Sequence, residues 1–198
     1  MPLLQNTDAV ELESSIPLEL YLRRTYRPDC DYIDGEVRER NAGYWPHSEM
    51  MVIVGAMLHE FAKATDTVAL LSVRIRVSED CVLVPDICLA RRTRPREDVI
   101  VTPPLLCVEV LAEEDTFCAM RDRVDRFMKM GIQNIWIIDQ RGRFAWYANE
   151  RSFLNPEDGV LRVPGTPIGI SLPELFAELT HLSYVDASTT PMPCWFHQ

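Results

Sequence analysis

The 198-residue chain is 47% hydrophobic and carries a formal net charge of −10. That length and apolar content suit one domain with a substantial core. The acidic balance excludes the broad cationic surface needed for tight non-specific nucleic-acid binding through backbone charge alone.

The N-terminal MPLLQNTDAVELESS has neither the basic n-region nor the apolar h-region of a leader, and no apolar run is long enough to span a bilayer. A cytoplasmic protein with no membrane association is expected. Residues 1–15 read as a loose lead-in. In IPLELYLRRTY (16–26), Leu18, Tyr21 and Leu22 have helical spacing, and Pro17 suits a first helical turn. CDYIDGEVRER follows as a strand pair or turned strand with Asp34-Gly35 at the bend. From Pro46 and His47 to Ala64, apolar positions 50, 53, 54, 57, 58 and 61 recur every three or four residues, which predicts an amphipathic helix.

VALLSVRIRV (68–77) and CVLVPDICLA (81–90) are β-like runs, and ARRTRPREDV is a polar, Arg-rich loop. PPLLCVEVL (103–111) reads as a buried central strand. Thr116 to Met130 is a predicted helix with Met120, Val124, Phe127 and Met128 inward and Gly131 as its stop. NIWIIDQRGRFAWYAN predicts two strands around a Gln-Arg-Gly turn, with Trp136, Trp146 and Tyr147 in the core. Strand fragments near 151–163 and a helix LPELFAEL (172–179) close a single domain over 16–182, and 183–198 form a Pro- and Ser-bearing tail. The order is that of an α/β or α+β domain around a mixed sheet.

Of the six cysteines, Cys81, Cys88 and Cys107 fall in predicted strands and Cys118 near a helix start. No CxxC pair exists, so buried, reduced thiols are expected, with Cys194 in the tail as the exception. His59 is expected to be partly exposed. The Arg91, Arg92, Arg94 and Arg96 run either tracks a nucleic-acid backbone or forms a solvated loop opposing Glu97 and Asp98.

Two acids carry the functional signal. Asp86, after Pro85, interrupts one apolar strand, and Glu109 interrupts another. Two carboxylates in adjacent buried strands repel each other and lose hydration unless a cation lies between them. Hard divalent ions such as Mg²⁺ or Mn²⁺ favour such oxygen ligands. The alternative is that each acid meets an arginine or stands at a strand end in water.

Pro85-Asp86, then 22 intervening residues, then Glu109-Val110-Leu111 resembles the PD-(D/E)XK nuclease pattern. More closely, the chain over about 17–180 resembles the Uma family of restriction-endonuclease-like proteins, through DYIDGEV, VPDICLA, PPLLCVEVLAEED and GIQNIWIID in that order. The resemblance implies a restriction-endonuclease-like mixed central sheet flanked by helices, and a metal-dependent endonuclease using Mg or Mn. Nucleic acid, DNA in particular, is the implied substrate and a homodimer the expected assembly. Carried over by position, Glu36 corresponds to the family's first acid, Asp86 to its central metal ligand and Glu109 to its second, with the Val110 carbonyl completing the metal shell. His47 stands where the family often has histidine, and either binds metal or orients a phosphate, or is a capping or surface histidine at the start of its helix.

The general pattern's lysine is replaced by Leu111. The lysine that the family draws from the next helix, eight residues before Gly131, is here Arg123. The chain has two lysines in all, Lys63 and Lys129, and Lys129 lies roughly 240° around the helix from Arg123. Phe127 replaces a common tyrosine. Arginine holds phosphate but is a poor proton acceptor, so the second reading is a non-catalytic nuclease-fold module that binds nucleic acid or protein.

Overall fold

The computed structural model describes residues 15–40, 44–92 and 95–179. The expected N-terminal lead-in, up to residue 14, and the C-terminal tail lie outside the described residues, as do Arg94 and Cys194. A short helix α1 (Leu18–Arg23) opens the domain with Pro17 at its N-cap. The hairpin of β1 (Asp31–Ile33) and β2 (Glu36–Arg38) turns at Asp34 (φ 55°) and Gly35 (φ 89°). Two consecutive positive φ angles match the right-handed strand twist of a tight hairpin, and Gly35 takes the second at no steric cost. Helix α2 (Trp45–Ala62) buries Met50, Val54, Leu58 and Ala62.

Both long β-like runs divide in two. VALLSVRIRV forms β3 (Thr67–Leu71) and β4 (Ile75–Ser78), separated at Ser72 with φ 47°. CVLVPDICLA forms β5 (Cys81–Leu83) and β6 (Ile87–Arg91). Pro85 has no N–H for a ladder, so the chain leaves one sheet at Leu83 and enters the other at Ile87. The rest runs β7 (Leu106–Val110), α3 (Phe117–Met130), β8 (Ile135–Asp139), β9 (Phe144–Ala148), β10 (Phe153–Leu154), β11 (Val160–Arg162), β12 (Gly169–Ser171) and α4 (Leu172–Ala177). Strand β12 was not expected from the sequence.

The main sheet has six strands in the order β10-β9-β8-β7-β6-β3. Its β7–β8 pair is parallel and the others are antiparallel. Helix α3 is the crossover that a parallel pair requires. A second sheet has the order β2-β1-β5-β4, and β11 and β12 pair separately. Strand β7 is central and buried on both faces, hence its apolar composition apart from Glu109. One face, with Leu106, Val108, Trp136 and Ile138, packs with Met50, Val54 and Leu58 of α2. The other, with Cys107, Ile135, Ile137 and Trp146, packs with Met120, Val124 and Phe127 of α3. Thr116 caps α3 by accepting a hydrogen bond from the Ala119 amide, and Gly131 ends it in the left-handed region.

This is the expected α+β architecture, a mixed sheet with helices on both faces. Cys81, Cys88 and Cys107 are buried and Cys118 is exposed. Among the described residues no helix is long and apolar enough to cross a membrane.

Candidate active site

The break between β5 and β6 builds the site. Outside a ladder, the backbone groups of Val84 need other partners. Asp31 Oδ1 accepts the Val84 N–H at 2.7 Å, and Arg123 Nη2 donates to the Val84 carbonyl at 2.6 Å. Two residues later the side chain of Asp86 points into the same space. Its register extends the β6–β7 pairing (Ile87 opposite Val108, Cys88 opposite Cys107), which sets Asp86 level with Glu109. Alternation puts Glu109 on the Cys107 face of the sheet, toward α3. Both acids line one pocket of about 250 Å³ with Asp31, Arg40, His47 and Arg123. Each is only 2% exposed.

Buried charges demand partners. Asp86 Oδ1 accepts from Arg40 Nη2 at 2.5 Å, and Oδ2 accepts from the Val110 amide at 2.8 Å, with His47 Nε2 at 3.4 Å. Glu109 Oε1 accepts from Arg123 Nε at 2.7 Å, and its Oε2 lies 4.0 Å from Arg40 Nη2. Arg123 Nη1 donates to Asp31 Oδ2 at 2.5 Å. Each of the three guanidinium nitrogens of Arg123 therefore has an acceptor, and its carbon lies 5.5 Å from the Phe127 ring centroid.

The two acids are driven apart in basicity. Burial opposes the charged form of Asp86, but the His47 hydrogen bond and the Arg40 charge outweigh it and hold the carboxyl well below its usual range. Burial dominates at Glu109. The charge of Arg123 pulls against it, yet the repulsion from Asp86 adds to it, so the carboxyl titrates above its usual range. Burial likewise disfavours the cation of His47, and the bond to Asp86 more than offsets this, so its pKa is raised. Burial also opposes the charge of Arg123, but Asp31 and Glu109 together lock it in the charged state.

Asp86, Glu109, Val110, Arg123 and His47 are thus brought together as the sequence placed them. Glu36 is not. Its side chain is 53% exposed and its salt bridge is to Arg38 at 3.5 Å. The β1–β2 register turns Val37 inward and Glu36 out, and the inward acid of the hairpin is Asp31 at the far end of β1. Arg123 reaches Glu109 as expected, and each of its nitrogens also donates to a protein acceptor while the side chain lines the pocket.

Sequence reasoning missed Asp31 and Arg40. Asp31 carried one local signal, an acid in a three-residue strand that is otherwise apolar; Arg40 carried none. Of the Arg run, Arg91, Arg92 and Arg96 are exposed. Arg92 pairs with Asp66, and Glu97 accepts from the Val101 and Thr102 amides and the Thr102 hydroxyl. Among the described residues no three His, Cys, Asp or Glu side chains are grouped to hold a metal ion.

A crystal structure from Anabaena variabilis ATCC 29413, described as "a putative nuclease belonging to DUF820", superposes with a TM-score of 0.72 at 21% identity. The likeness covers 83% of this chain and 99% of that one, and at such identity it speaks for the fold. No curated protein matches the chain. The Uma2 family, described as "Putative restriction endonuclease", matches residues 18–174, and with the matched region holding the break at Pro85-Asp86, Glu109 and α3, the chain belongs to that family.

Proposed function

We propose that this protein is a divalent-metal-dependent endonuclease that hydrolyses phosphodiester bonds, in DNA by preference, with Asp86 and Glu109 holding Mg²⁺ or Mn²⁺. One observation carries the reading: two buried carboxylates, Asp86 just before β6 and Glu109 in the neighbouring β7, meet in one pocket, with a cationic group, the Arg40 guanidinium, close to both. A pair of hard oxygen donors whose charges repel fits a hard cation of the Mg²⁺ class. The Val110 carbonyl, next after Glu109 along β7 and hydrogen-bonded by His47, is the backbone oxygen that would join that set. The bound ion would supply Lewis-acid polarisation of the phosphoryl oxygen and neutralisation of developing charge.

The chain's own groups do the positioning. The Val110 amide and His47 fix the rotamer of Asp86, while Arg123 fixes Glu109 and ties it to Asp31. The net charge of −10 makes approach to DNA depend on such local cations rather than on a basic surface. A second copy of the chain would supply the second active site that cutting both strands needs. Light scattering at micromolar concentration is expected to report a dimer, and monomer alone would remove that part of the proposal.

A second reading has its own observation. Arg40 and Arg123 already pair both acids, as in a protein that keeps the nuclease fold but only binds nucleic acid or another protein. End-labelled duplex DNA, single-stranded DNA and RNA separate the two. Cleavage of the DNAs that needs Mg²⁺ or Mn²⁺ and stops with chelator supports the nuclease. Cleavage of RNA alone overturns the DNA preference, and retention of any of them without cleavage by a folded protein supports the binding module.

A further inference from the structure

The pocket's two arginines are held differently. Arg123 gives each nitrogen to a separate acceptor, one of them a backbone carbonyl, and so belongs to the frame. Arg40 is 19% exposed, follows β2 at the mouth of the pocket, and touches the acids through Nη2. The oxygens it meets are also distinctive. Asp86 Oδ2 faces the Val110 amide and His47, and Glu109 Oε1 accepts from Arg123. That leaves Asp86 Oδ1 and Glu109 Oε2, the oxygens free to share a cation, and Arg40 Nη2 lies 2.5 Å from one and 4.0 Å from the other.

Resting on the reading of Asp86 and Glu109 as a divalent-cation site, we propose that Arg40 is the resident occupant of that site, a tethered counter-ion that a divalent ion must displace in order to bind. The exclusion is steric as well as electrostatic. An Mg²⁺ ion would bind Asp86 Oδ1 at about 2.0 to 2.1 Å, in space already taken by a guanidinium nitrogen 2.5 Å from the same atom. Metal entry is therefore an exchange of one cation for another. Without metal, Arg40 keeps two repelling acids paired and the fold intact; with metal, it is released into the cleft.

Calorimetric titration with Mn²⁺ tests this without any turnover. Relative to wild type, Arg40→Gln is expected to bind Mn²⁺ about tenfold or more tightly, the scale on which groups around a metal site alter its affinity. Its melting temperature should fall without metal and rise on adding Mn²⁺ by more than that of wild type. Adding Asp86→Ala to Arg40→Gln should abolish the binding. An Mn²⁺ affinity in Arg40→Gln equal to or weaker than wild type, with binding still dependent on Asp86, overturns the displacement and leaves the metal site standing. Absence of saturable binding in all three proteins overturns the metal site itself. Should Arg40→Gln not fold, Arg40→Lys carries the same test: its shorter reach is expected to raise Mn²⁺ affinity severalfold, and an unchanged affinity overturns the proposal.

Discussion

Arg123→Ala is expected to cost about 3 to 5 kcal/mol of stability, the range for removing one partner of a buried ion pair. The truncation strands three acceptors at once: Glu109 with a side chain 3% exposed, Asp31 at 11%, and the carbonyl of Val84. Glu109 suffers most, because its buried carboxylate loses the cation it is hydrogen-bonded to. Denaturant unfolding followed by circular dichroism measures the loss, and a change under about 1 kcal/mol, the scale of an exposed pair, would contradict the account of Arg123 as part of the frame.

Arg123→Lys separates frame from chemistry. A lysine ammonium is a compact point charge that cannot match the planar fork of a guanidinium across three acceptors, so stability should still fall, by less than for alanine. The same change restores the group that the family draws from this helix, so metal-dependent cleavage should hold or rise. The two measurements moving in opposite directions is the expected signature.

The larger effect on activity is expected at Glu109→Gln. Glutamine keeps the shape of the side chain and an oxygen able to accept from Arg123 Nε, so the frame survives. It removes the charge that would face the metal. Cleavage in Mg²⁺ or Mn²⁺ should drop by about 10²- to 10³-fold, comparable with deleting one group that stabilises transition-state charge. Because burial and Asp86 already disfavour the Glu109 carboxylate, the melting temperature should change little. Single-turnover cleavage and a thermal melt on one preparation make the comparison, and undiminished cleavage would exclude Glu109 from the metal site.

Much of the fold was legible because it is written in local period and punctuation. The 3.6-residue period of α2 and α3, Gly131 as a stop and the Asp34-Gly35 hairpin each follow from short-range rules and stand where those rules put them. The two long β runs were misjudged for a physical reason. Apolar content does not say which sheet a segment joins, and the evidence that it changes sheets lay in single residues, Pro85 in one run and Ser72 in the other. Strand β12 is three residues of GIS, paired only with β11, and has too little pattern to register.

The site divides the same way. Asp86 and Glu109 announce themselves because an acid inside an apolar strand violates the strand's own composition. Asp31 and Arg40 act through partners far along the chain: 92 residues separate Asp31 from Arg123 and 46 separate Arg40 from Asp86. No spacing rule reaches that distance. Glu36 came from resemblance to the family's opening element, and the hairpin register that turns it to solvent is decided by which neighbours are buried, a property of the folded sheet.

The most direct measurement is relaxation of a supercoiled plasmid by wild type and by Asp86→Ala, purified side by side. Wild type is expected to convert supercoiled DNA to open-circular and linear forms in Mg²⁺ or Mn²⁺ and to stop when the ion is chelated. Asp86→Ala should leave the plasmid supercoiled. A folded wild type that relaxes no plasmid in either ion, or an Asp86→Ala protein that relaxes it as fast as wild type, would contradict the assignment of phosphodiester hydrolysis to this pocket.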